Sequence, residues 1–132
     1  MRIFVDTSAF FALLDRDDGN HRKARTAWDT ILGPDNVLVT TNYVLIECFA
    51  LLQSRLGIEA ARGFQEDIVP LLNVEWADAA VHKTGVGALL ATGRRKLSLV
   101  DCVSFEIMRH MGIKTVFSFD HHFQEQGFHR IP

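Results

Sequence analysis

A single α/β domain built on a mostly parallel, twisted sheet of four to five strands, with helices on both faces, is what this sequence predicts. Three observations carry the prediction. Short apolar runs of strand length alternate with longer segments whose apolar residues repeat at helical spacing, the βα alternation that builds parallel sheets. The first of these runs, Ile3-Phe4-Val5, is apolar throughout, as a strand buried on both faces is. The chain has 132 residues, 48% of them apolar and 23% charged, which suits one domain with one core. The expected domain spans 1–132, and no linker, repeat or low-complexity tract interrupts it.

The first strand is Ile3-Phe4-Val5, closed by Asp6. Thr7 and Ser8 offer N-caps for a helix in which Phe10, Phe11, Leu13 and Leu14 recur at helical spacing. Asp15 to Asn20 reads as a loop with Asp17-Asp18-Gly19 as its turn. His21 to Leu32 is amphipathic, with Ala24, Ala27, Trp28, Ile31 and Leu32 on one side, and Gly33-Pro34 stops it. Val37 to Val39 is the second strand, and Thr40-Thr41-Asn42 supply caps for a helix over Tyr43 to Leu56, ended by Gly57 at C′. Glu59 to Ile68 predicts a further helix, and Val69 to Val74 contains the third strand, opened by Pro70. Ala77 to Thr92 is helical in pattern, with Gly93 as its stop. Its Gly85-Val86-Gly87 is no nucleotide-binding pattern, because no strand precedes it and the third glycine is misplaced. Leu97 to Met111 is a helix whose Val100, Val103, Ile107 and Met111 share a face, capped by Ser98 and ended by Gly112. Thr115 to Phe119 is the fourth strand, His121 to Gly127 a polar loop or short helical turn, and Phe128 to Ile131 a final edge strand.

Composition narrows the function. A net charge of −2 gives no global attraction for a polyanion, which would have to be met by local basic patches or bound metal. The ten phenylalanines lie mostly inside apolar runs and read as core. Cys48 and Cys102 have no CxxC spacing, which fits a reduced, cytoplasmic setting. No signal peptide is found, and no run reaches the roughly 18 apolar residues of a membrane span. The six histidines form no HExxH-type spacing, and His121-His122 reads as two solvated loop residues.

Four acids stand out by position. Asp6 and Asp120 follow strands, at the sheet edge where α/β proteins bind ligands, although a turn residue or N-cap also explains Asp6. Glu47 projects from an apolar helical stripe, with Tyr43 and Val44 one turn before it and Ala50 and Leu51 one turn after; the alternative is a stripe-edge residue that reaches water. Asp101 falls in the first turn of its helix, where a capping box with Ser98 is the structural alternative. Gathered at one end of a sheet, such acids repel by roughly 4 kcal/mol per ionised pair at 4 Å and an effective dielectric of 20. A hard cation cancels that repulsion, and oxygen ligands without His or Cys favour Mg²⁺ or Mn²⁺. A site of that kind accepts phosphate and supports two-metal hydrolysis of a phosphodiester.

The stretches FVDTSAFFALLD, LSLVDCVSFEIM and FSFDHHF, with the isolated helical Glu47, resemble the PIN-domain ribonucleases, and among them the VapC-type toxins of toxin–antitoxin pairs. The resemblance covers nearly the whole chain. It implies that Asp6, Glu47, Asp101 and Asp120 are the catalytic, metal-binding acids and that Ser8 and Ser118 help order them. Where family members often carry a further acid, two residues after the fourth, this chain has His122, which puts a second metal in question. The implied activity is Mg²⁺- or Mn²⁺-dependent endoribonuclease cleavage of RNA by in-line water attack. The implied partners are a small antitoxin that blocks the site and a second copy in a homodimer, with no membrane. Arg94, Arg95 and Lys96 are candidates for RNA phosphate contacts; a solvated loop explains them as well. The alternatives are a free-standing RNA-processing nuclease of the same fold and a catalytically silent interaction module. A phosphoacceptor signalling domain fits less well, since it wants paired acids at the first strand and a late lysine at a strand exit.

Overall fold

Five strands, β1 (Arg2–Val5), β2 (Val37–Thr41), β3 (Asn73–Glu75), β4 (Thr115–Phe117) and β5 (His129–Ile131), form one sheet in the order β3-β2-β1-β4-β5. This is a computed structural model, and it describes residues 1–132. Every pairing is parallel, with Phe4 opposite Val39 on one side and Val116 on the other. Parallel neighbours cannot be joined by a hairpin. Seven α-helices therefore lie in the connections: α1 (Thr7–Leu14), α2 (His21–Ile31), α3 (Asn42–Arg55), α4 (Ile58–Gly63), α5 (Ala79–Thr92), α6 (Leu99–Met111) and α7 (His122–Glu125).

The first strand made is the central one. Ile3, Phe4 and Val5 are at most 2% exposed, and adjacent strand residues face opposite ways, so both faces of the sheet are covered. Burying each such side chain contributes about 1.5–3 kcal/mol. From β1 the chain builds outward on one side to β2 and β3, then returns to the other side for β4 and β5. That reversal places Asp6 at the switch point of the sheet. The core is a single cluster of 28 buried apolar residues. Six phenylalanines belong to it, among them Phe123 in aromatic contact with both Phe4 and Phe105, and the other four are packed against it.

Three local readings change. Pro70 lies in a 3₁₀ turn over Val69–Leu71 and the strand begins only at Asn73, so the proline ends a helical path instead of opening a strand. The helix expected over Glu59 to Ile68 is α4 followed by a π-turn, Phe64–Ile68, whose wider winding buries both Phe64 and Ile68. The fourth strand stops at Phe117, because Ser118 turns its hydroxyl toward Asp6 and the chain bends there. Gly85 has a packing reason. A Cβ there would meet Val103 Cγ2 at 2.7 Å, so the glycine lets α5 approach α6.

Candidate active site

Asp6 does two things as the chain leaves β1. Its N–H donates to the Phe117 carbonyl at 3.1 Å, extending the ladder toward β4 by one rung. Its side chain caps α1 and gathers the serines. Oδ2 accepts from Ser8 Oγ at 2.8 Å, Ser118 Oγ at 3.0 Å and the Ser8 N–H at 3.4 Å. Each hydroxyl has one proton, and Asp6 takes both, so the serine oxygens are left to accept the Phe119 and Asp120 N–H groups, each at 2.9 Å. All of this falls on Oδ2, and Oδ1 accepts no hydrogen bond within the chain.

The other acids repeat the pattern. Asp101 Oδ2 accepts the Ser98 N–H at 3.0 Å and Ser98 Oγ accepts the Asp101 N–H at 3.0 Å, a full capping box. Asp120 Oδ1 accepts the His122 N–H at 2.9 Å. Each carboxylate is thus fixed through one oxygen while the other is left free. At Asp6 and Asp101, capping and ligation therefore do not compete for the same atom. Glu47 arrives from α3, half-buried, and accepts no well-formed hydrogen bond.

All four acids line one cleft of about 350 Å³, with Thr7, Ser8, Phe11, Asp18, Asn20, Leu51, Arg55, Ser98 and Phe119. Burial pushes the Asp6 carboxyl up to about 6; the Ser8 and Ser118 hydroxyls counter this, and Asp101 and Asp120 add to it. Burial likewise raises Glu47, with Asp101 and Asp120 adding to it. Thr7 faces Glu47 and opposes that rise, yet its buried Oγ1 finds no partner in proper hydrogen-bond geometry. Asp101 is raised by burial and by Asp120, against the Ser98 bonds and His122, which lower it. Raised carboxyls together with an orphaned hydroxyl mark a cleft whose acids are paired with no cation of the chain. The free oxygens could hold a hard divalent cation. Asp101, Asp120 and His122 bring donor atoms to within 4.8 Å of one another, as do His121, His122 and Glu125 on the surface side.

The basic triplet is elsewhere. Arg94, Arg95 and Lys96 are exposed and none lines the cleft; Arg94 is bound to Glu125 at 2.8 Å. The cation at the cleft is Arg55, at the end of α3, whose guanidinium lies 5.4 Å from the centre of the Phe11 ring. Phe11 and Phe119 give the cleft apolar faces amid its acids. No local signal singled out Arg55, which reads as an ordinary exposed residue at a helix terminus. His122 corrects the expectation of a solvated pair. Its side chain is 8% exposed while that of His121 is 71% exposed, because α7 turns His122 inward beside Phe123.

No helix is long and apolar enough to cross a membrane. A family model described as the PIN domain matches residues 3–129. The chain is 34% identical over 127 residues, 96% of its own length and 95% of the other's, to the 23S rRNA-specific endonuclease VapC20 of Mycobacterium tuberculosis. The crystal structure of VapC20, a sarcin–ricin loop cleaving toxin, matches with a TM-score of 0.85 over 96% of this chain and 95% of that one. FitAcB from Neisseria gonorrhoeae shares the fold at 15% identity and a TM-score of 0.70, covering 100% of this chain and 97% of that one. With an all-parallel sheet whose switch point carries an acidic cleft, and with these relatives, the chain belongs to the PIN-domain family as a VapC-like member.

Proposed function

We propose that this protein is a metal-dependent endoribonuclease, the toxin of a toxin–antitoxin pair, and that Asp6, Glu47, Asp101 and Asp120 hold Mg²⁺ or Mn²⁺. The observation that carries the proposal is the set of carboxylates lining one cleft, three of them anchored through one oxygen with the other oxygen unspent. A bound divalent cation would cancel their repulsion and stabilise charge on the phosphate being cleaved. Ser8 and Ser118 keep Asp6 ionised and aimed, and the same serines tie down the Phe119–Asp120 turn. Glu47, the acid without a firm hydrogen bond, is free to take the proton from an attacking water. Arg55 offers a phosphate contact and Phe11 and Phe119 offer faces for bases. Arg94, Arg95 and Lys96 serve at most a longer RNA, since Arg94 must first leave Glu125.

The relationship to VapC20 makes the sarcin–ricin hairpin of 23S rRNA the first substrate to try. A cytoplasmic setting follows from that substrate. An antitoxin and a second copy of this chain are the expected protein partners, and Ile46 on α3 and Leu90 on α5, 67% and 75% exposed, are apolar surface available to them. The test is cleavage of the hairpin with Mg²⁺ or Mn²⁺, with EDTA, and by Asp101→Asn. Cleavage that survives EDTA or Asp101→Asn at the wild-type rate refutes the mechanism. A protein that binds an antitoxin yet cuts no RNA would be the silent module.

A further inference from the structure

Resting on the metal-site reading above, we infer that His122 is a nitrogen donor to the same ion, beside Asp120 and Asp101, and that it tilts the site toward first-row transition cations over magnesium. The imidazole is buried to more than nine-tenths, and its Nδ1 is wholly enclosed with no hydrogen-bond partner. A buried nitrogen left without a partner is costly to the fold. The nearest acceptor, Asp120 Oδ1, is 2.9 Å away, but it lies off the line an N–H···O bond needs and already receives the His122 backbone N–H.

Two Lewis bases facing each other without a proton well placed between them are suited to sharing a cation. Neighbouring ligands on an octahedral ion with bonds of about 2.05 Å stand about 2.9 Å apart. That is the separation of His122 Nδ1 and Asp120 Oδ1. Asp101 supplies a third donor atom within 4.8 Å of both residues' ligand atoms. The exposed group His121, His122 and Glu125 is the competing arrangement, but Arg94 and His121 already bind the Glu125 carboxylate. Magnesium prefers an all-oxygen set, whereas imidazole suits transition ions.

The test is pulsed electron paramagnetic resonance of the full chain loaded with Mn²⁺, with Mn²⁺/Mg²⁺ competition measured alongside and circular dichroism used to check folding. Expected is a ¹⁴N coupling from one imidazole in the wild type that disappears in His122→Gln and survives in His121→Gln. His122→Asp should still bind Mn²⁺, without the coupling, and move the competition toward Mg²⁺ by about tenfold or more. Mn²⁺ bound without nitrogen coupling, coupling lost only in His121→Gln, or an unchanged ratio in His122→Asp each overturns the inference and leaves the carboxylate site standing. Failure of the wild type to bind Mn²⁺ at all overturns the metal site itself and the inference with it.

Discussion

Replacing Asp6 by Asn should make the metal-free protein more stable and at the same time useless as a nuclease. The Asp6 carboxyl is pushed from 3.8 to about 6, chiefly by burial. Two units correspond to about 3 kcal/mol by which the ionised carboxylate destabilises the fold above pH 6. Asparagine is isosteric, caps a helix as well as aspartate, and can present its carbonyl oxygen to Ser8 and Ser118. The expected gain at pH 7.5, without metal, is therefore about 3 kcal/mol, or roughly 10 °C in Tm. Between pH 4 and 6 folded Asp6 holds a proton that the unfolded chain has released, so wild-type stability falls as pH rises through that window. The variant lacks this slope, and its advantage should shrink to about 1 kcal/mol at pH 4.5. Urea unfolding of metal-stripped protein at the two pH values measures both quantities. A variant no more stable than wild type at pH 7.5 would refute the burial argument. Added Mn²⁺ should raise the wild-type midpoint and leave that of Asp6→Asn nearly unchanged.

Glu47→Gln removes the proton acceptor while keeping the side chain's shape, and single-turnover cleavage should fall by about 10²–10³-fold with little change in RNA binding. Arg55→Ala should weaken RNA binding and reduce the slope of log K against log salt by about one, with secondary structure unchanged by circular dichroism. Gly85→Ala should destabilise the fold by about 1–2 kcal/mol in chemical denaturation, because the 2.7 Å contact with the stiff Val103 side chain outweighs the gain in helix propensity. Arg94→Ala should change stability by less than about 0.5 kcal/mol, since its partner Glu125 is on the surface.

How much of this was legible in the sequence depends on whether a residue's role is local. The positions of Asp6 after a strand and Asp101 in a first turn follow from short-range patterns, and the structure contains both capping interactions. Glu47 was visible because an acid in an apolar stripe is locally anomalous. The sheet was legible because its inner strands β1, β2 and β4 are largely apolar, though the π-turn and Pro70 were not, since a continuous helical period hides a change of winding. His122 was misjudged because burial of a loop residue is decided by what packs over it. Arg55 carries no anomaly at all. Only the packing of α3 beside α1 brings its guanidinium to Phe11 at the cleft.

Strand order also has a consequence for biosynthesis. The central strand β1 precedes the other four in the chain, but the hydroxyl that steadies Asp6 belongs to Ser118 and the fourth carboxylate to Asp120, both beyond β4. A nascent chain therefore has no complete acidic cleft until the segment carrying β4 and Asp120 has emerged and slotted beside β1. Under the nuclease reading proposed above, that order of assembly withholds cleavage until the fold is closed.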